Sequence, residues 1–236
     1  STWLRLGERR EEMADKKARG LFLVWADVPA DMEEDFNRWY DEEHLAELLA
    51  IPGVLSAARY VAISGSPKYL AAYELDNPEV RETPEYGKHL IKPTEWSQRG
   101  NLQARATRVI SNSYRQIFPL EVSRQVAESD MAPVLQIGRM SIPEDQEDEF
   151  NRFYNTIYAP NYEKVPGCIR FRRYALHEGH GPKYSVVYEF EHEKVSQSPE
   201  WLAARQNSGG ALGDRFPRMS HDEGSPGIYK KLYQLT

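Results

Sequence analysis

The chain has a single cysteine, Cys168, in 236 residues, so it can form neither an internal disulfide nor a thiolate metal cluster. Cys168 follows a Pro-Gly turn at the start of an apolar stretch, where a buried structural thiol is expected rather than a nucleophile. No apolar run reaches the ~18 residues that a membrane-spanning helix requires, and the N-terminus lacks the apolar core of a secretory signal. A cytoplasmic protein without membrane contact is therefore expected. Basic charge is not in excess: 30 Lys and Arg stand against 36 Asp and Glu, a net charge of −6. With no Lys/Arg cluster either, a nucleic-acid partner is not expected. The six histidines show no His-x-x-x-His or His-Glu-x-x-His spacing, so no metal site is predicted. Gly209-Gly210 lies in a polar stretch with no strand before it, which disfavours a phosphate loop and a nucleotide cofactor. Nor is there a nucleophile elbow to support a Ser-His-Asp triad.

What is present is a repeat. Shifting the chain by 114 residues places VPADMEEDFNRWY at 28–40 over IPEDQEDEFNRFY at 142–154. The register continues through Ile51-Pro52-Gly53 over Val165-Pro166-Gly167 and Ala58-Arg59-Tyr60 over Arg172-Arg173-Tyr174. After one inserted residue near Gly181, Pro67-Lys68-Tyr69 meets Pro182-Lys183-Tyr184, and Tyr114 meets Tyr229. A period of this length is the size of a small domain and implies duplication of a unit that once dimerised. Two units are predicted, 20–118 and 133–236, joined by a linker at 119–132 and preceded by an extension at 1–19. Residues 1–12, polar and without a counterpart in the second half, read as an addition upstream of Met13.

Within each unit, β-rich runs at 21–26 and 134–140 end before a proline and suit a first strand. Segments 31–44 and 145–158 follow an acidic first turn with apolar residues near helical spacing. A Pro-Gly turn opens a second strand at 54–63, and the turn at 64–67 leads into a third at 68–75. Short helices follow between 83 and about 106, and a last strand lies near 114–117. The order β-α-β-β-α-β is the split ferredoxin-like motif, an α+β unit whose antiparallel sheet has helices on one face only. Its bare face needs a cover, and the second unit supplies one, giving an intramolecular dimeric α+β barrel with sheets face to face and a cleft in each half.

The segment Trp39-Tyr40-Asp41-Glu42-Glu43-His44-Leu45, followed by Ile51-Pro52-Gly53 and Arg59-Tyr60, resembles the EthD-like members of the dimeric α+β barrel superfamily. The resemblance spans both repeats. The first departs from the family pattern at Ala46, where the family has proline; the second keeps that proline, Pro160, but has lost the histidine. The superfamily includes cofactor-free isomerases, cyclases, monooxygenases and haem enzymes, so the resemblance implies the fold more than an activity.

At 100° per residue, Met32, Phe36, Trp39 and Glu43 share one helical stripe, with Tyr40 and His44 at its edge. The matching positions in the second unit carry Ile157 and Tyr158. A carboxylate and an imidazole thus stand in the first half where the second has an aliphatic and a phenol. An acid on an apolar face must be paired or neutralised, which suits proton transfer. His44, Glu43 and Tyr40 are the candidate catalytic residues. Arg59, Trp39, His89 and Trp96 are candidate substrate contacts, although for Arg59 a structural ion pair, with Glu43 as one partner, is the default reading. The expectation is a cofactor-independent enzyme acting on a small apolar or aromatic molecule. His44 would move the proton, with a lyase or isomerase outcome ranked first by resemblance. The alternatives are an oxygen-using enzyme of the same fold, cofactor-free or carrying haem on a histidine, and a non-enzymatic, stress-responsive ligand-binding protein. A homodimer of two chains is compatible with either.

Overall fold

The computed structural model describes residues 16–91, 96 and 105–235; the proposed addition at 1–12 lies outside them. Each unit contributes four long strands: β1 Gly20–Asp27, β2 Val54–Ser64, β3 Tyr69–Leu75 and β4 Arg108–Phe118 in the first. Their counterparts are β5 Val134–Ser141, β6 Cys168–Glu178, β7 Tyr184–Phe190 and β9 Gly227–Leu235. A two-residue strand, β8 Ser220–His221, pairs with the end of β5. The last strand of each unit runs well beyond the short segment expected near 114–117.

Within the units the order is β4-β1-β3-β2 and β9-β5-β7-β6, all antiparallel. The two sheets also join edge to edge. β2 pairs with β9, and β4 pairs with β6, so among the described residues the eight long strands form a closed ring. Since β6 is the repeat of β2 and β9 the repeat of β4, the two seams are copies of one another. Closure removes the exposed strand edges that separate sheets would leave. The sheets face each other as expected, but it is this edge pairing that makes them a barrel.

The strand β1 shows why the sequence builds it. Leu21, Leu23 and Trp25 point to the barrel interior, where they pack with Leu135, Ile137, Val187 and Tyr229 of the second unit. Phe22, Val24 and Ala26 point the other way, to the helix side with Phe36 and Trp39. Alternate residues therefore serve two cores, and the strand reads as one continuous apolar run. The interior also holds charge. The Arg172 guanidinium joins Glu74 of the first unit at 2.5 Å and Glu189 of the second at 3.1 Å. Lys17, ahead of β1, reaches Glu189 at 2.8 Å.

On the outer face each unit carries one long helical run. The first starts as Glu33–Trp39, widens into a π turn over Tyr40–His44 and continues as Leu45–Leu49. The second repeats this with Glu147–Phe153, Tyr154–Tyr158 and Ala159–Glu163. Both end in the expected Pro-Gly turn. Gly53 and Gly167 have φ of +90° and +85°, and a β-carbon there would come within 2.6 Å of Val80 and 2.7 Å of Val195 respectively. Further helices, Pro84–Ile91 and Pro199–Asn207, occupy matching places after the third strands.

Candidate functional site

A π turn carries one more residue than an α turn, so residues beyond it rotate out of the phase that a 100° stripe assigns. This overturns the placing of Glu43 on the apolar stripe. Its counterpart Ile157 is 44% exposed and Glu43 is half-buried. Tyr40, expected at the edge, is buried with only 2% of its surface exposed. The turn falls at the same place in both units, and such π turns recur at functional sites.

The turn sets His44 down on an aromatic bed. Its ring stacks on Trp39 with centroids 4.1 Å apart and planes 19° apart, and it meets the Tyr40 ring edge-on at 5.1 Å. His44 Nδ1 lies 3.4 Å from Oε2 of Glu47, and the two side chains are 13% and 22% exposed. Trp39 fixes the ring plane, and the carboxylate selects the tautomer by accepting from Nδ1–H. In that tautomer the second ring nitrogen, Nε2, is the one that can accept a proton. Trp96 packs against the same cluster, and Arg38 stands over its ring at 5.6 Å. His89 falls in the helix Pro84–Ile91, and its side chain lies outside the described residues.

Glu47 is the residue that the sequence reading missed. Its signal was the (i, i+3) spacing from His44, which puts two side chains on one helical face. The second unit has Tyr158 and Asn161 at these positions.

Arg59 lies beneath the helix, 1% exposed. It donates to Asn37 Oδ1 at 2.7 Å and Asp41 Oδ1 at 3.1 Å, and its guanidinium sits 4.6 Å from the Tyr40 ring centre. Its carboxylate partner is thus Asp41. Arg173 repeats the arrangement with Asn151 at 2.8 Å, Asn155 at 2.6 Å and Tyr154 at 4.5 Å. A latch present in both units and shielded from solvent holds helix to sheet, so the substrate contact expected of Arg59 gives way to a structural role. Cys168 is half-buried, and burial pushes its thiol up to about 12. At neutral pH it is the inert thiol that the sequence suggested. No group of three potential metal ligands comes together among the described residues, and no described helix is long and apolar enough to cross a membrane.

The second unit holds a cavity. A cavity of about 260 Å³ lies between its long helix, its sheet and the segment following Pro199–Asn207, walled by Tyr154, Tyr158, Tyr162, Tyr188 and Trp201. The cause is legible in β5. Where β1 has Phe22 and Val24, both packed into the first unit's core, β5 has Gln136 and Gly138, and both line the cavity.

No protein family's sequence profile matches the chain, and no curated protein matches it by sequence. Solved structures match it in fold. An "anthrone oxidase-like protein" aligns over 94% of both chains with a TM-score of 0.57 at 10% identity. A mutant chlorite dismutase from Candidatus Nitrospira defluvii aligns over 95% of both with a TM-score of 0.54 at 10% identity. A protein from Lactobacillus acidophilus described as a candidate monooxygenase aligns over 92% of this chain and 96% of its own, with a TM-score of 0.53 at 9% identity. The chain therefore has the dimeric α+β barrel fold, with both units included in the match.

Proposed function

We propose that the chain is a cofactor-independent enzyme that removes a proton from a small aromatic, hydroxylated molecule at the first unit, within the EthD-like branch of the fold. The observation that carries the reading is the His44–Glu47 pair, set on Trp39 in one unit and replaced by Tyr158 and Asn161 in the other. Nε2 of His44 takes the proton, Glu47 balances the imidazolium that forms, Trp39 backs the His44 ring, and the partly exposed Trp96 supplies flat apolar surface for an aromatic ring. Glu43 and Tyr40 flank the base, and Tyr40 holds the ring of His44 from its edge.

The fate of the carbanion is where the comparisons bear. A lyase or isomerase outcome finds no counterpart among the names of the structural neighbours cited, two of which, the anthrone oxidase-like protein and the Lactobacillus acidophilus protein, are named for oxidation. The reading therefore takes dioxygen as co-substrate. An activated CH₂ loses a proton to His44 and the carbanion passes two electrons to O₂ as a C–O bond forms. The hydroperoxide receives a proton and loses water to leave a carbonyl. One O₂ is consumed and one water released per substrate.

Haem does not fit the cavity described. At about 260 Å³ the second unit's cavity lies below the ~300–1,000 Å³ of pockets for drug-sized ligands, and a porphyrin is larger than most of those. No step is routed through it.

The test is oxygen uptake with anthrone and a panel of small phenols and keto acids. The protein should consume O₂ with at least one of them, and His44→Gln should lose that activity while keeping its fold. Uptake that His44→Gln leaves unchanged would refute the reading.

A further inference from the structure

The second unit's cavity has no part in the chemistry proposed for the first, yet the chain keeps it open. In the first unit the Phe22 ring stacks on Tyr73 at 5.5 Å, filling the place that corresponds to the space beside Tyr188. In β5 the same position is Gln136, and the neighbouring inward position is Gly138. A β-carbon on Gly138 would stand 3.0 Å from Met140 Cε and 3.1 Å from Val186 Cγ1, so any larger residue would press into the cavity wall.

The polar groups that remain share one character. Tyr154 and Tyr188 hydroxyls lie 3.2 Å apart, and the Tyr162 hydroxyl donates to that of Tyr158 at 3.3 Å. Each pair leaves hydrogen-bonding capacity for a third group. Burial pushes the Tyr154 hydroxyl up to about 12, although its bond to Tyr188 and the nearby Arg173 pull the other way. Tyr158 and Tyr188 are raised further by burial and by neighbouring tyrosines. All three are neutral donors throughout the physiological range. Arg205 stands at the rim, and among the described residues its side chain has no hydrogen-bond or ion-pair partner. Among the described residues no carboxylate lines the cavity, and beneath it the Arg173 guanidinium faces the Tyr154 ring. His221, exposed at the rim, is shifted below its usual range by partial desolvation and is neutral at neutral pH.

We propose that this cavity is a second ligand site, specific for a small aromatic anion. The ring lies among the tyrosines and Trp201, and the carboxylate or phenolate is met by Arg205 and the tyrosine hydroxyls. Aromatic walls without a cation would accept a neutral ring equally well, and a cation at an open polar surface would accept any anion. The combination selects a molecule that is both. After duplication, on this account, the first unit retained the acid–base pair and the second became a pocket.

The experiment is calorimetric titration of the intact chain with 4-hydroxybenzoate and 1-naphthoate, each set against its uncharged amide. Saturable binding at one site is expected for at least one acid, with its amide about tenfold weaker or worse, matching loss of one charge-assisted contact. Arg205→Gln should weaken the acid by about the same factor and leave the amide unchanged. Gly138→Val and Gln136→Phe, which restore the first unit's residue types, should each abolish binding, and the milder Gly138→Ala guards against misfolding by weakening it while the thermal transition holds. His44→Gln should bind as the parent does. Failure of every aromatic acid to bind would overturn the proposal. So would binding indifferent to both Gly138→Val and Gln136→Phe, or binding lost in His44→Gln. None of these outcomes bears on oxygen uptake at the first unit, so the two proposals fail separately.

Discussion

His44 Nδ1 lies 3.4 Å from Oε2 of Glu47, within a helix whose copy in the second unit has neither residue. Two consequences can be measured. His44→Gln removes the base and should lower turnover by ~10²–10⁴-fold. Glu47→Gln leaves the base but not its orienting charge and should lower it by about tenfold or more, chiefly in kcat. Groups acting as one unit do not add, so the double variant should be scarcely slower than His44→Gln. A double variant slower by the product of both factors would show that the pair does not work together.

The latches of Arg59 and Arg173 should behave as equals. Each places a buried guanidinium between an aromatic ring and two side chains of the overlying helix. Arg59→Met or Arg173→Met strands those partners and should cost about 2–4 kcal/mol in urea unfolding. Lysine should rescue neither, because it cannot reproduce the planar fork. If Arg59→Met cost nothing in stability and instead raised KM, Arg59 would be a substrate contact after all.

The charged cluster inside the barrel sets an acid limit. Burial alone would push the Glu189 carboxyl up, but Lys17, Arg172 and Arg170 outweigh it and hold it at about 2, against 4.5 when unfolded. A depressed acid stabilises the fold fully above the unfolded value and loses that contribution as pH falls through the folded one. Between about pH 4.5 and 2 the protein should therefore lose up to about 3 kcal/mol from this group. Glu189→Gln should be destabilised already at pH 7, yet show a flatter loss over that interval. An unchanged slope would mean that another carboxylate carries the acid transition.

Closure predicts how the halves behave apart. The seams β2–β9 and β4–β6 join units, not strands within one unit. Residues 16–118 alone would expose both strand edges and the inner face with Leu21, Leu23 and Trp25. Sedimentation should find this fragment dimeric or aggregated; a stable monomer would contradict the account.

Much of this architecture was legible because duplication prints it twice: two aligned segments shared strand order, Pro-Gly turns and the arginine of the second strand, although its partners Asn37 and Asp41 were not foreseen. The π turn was not legible, since it changes helical phase without any residue that announces it, and the placing of Glu43 failed for that reason. Glu47 was hidden behind the nearer Glu43. The cavity was written in β5 as Gln136 and Gly138 over Phe22 and Val24. Two substitutions in a strand of ordinary polarity reveal a hollow only once the partner ring, Tyr188, is known to stand beside them. The edge seams pair strands far apart in the chain, and no local pattern encodes them.

The most direct test of proton transfer at His44 separates it from oxidation. Under nitrogen in D₂O, exchange of the acidic C–H of whichever compound supports oxygen uptake can be followed by NMR. The protein should speed this exchange, and His44→Gln should bring it back near the uncatalysed rate, with Glu47→Gln between them. Exchange in His44→Gln equal to that of the parent protein would show that His44 is not the base.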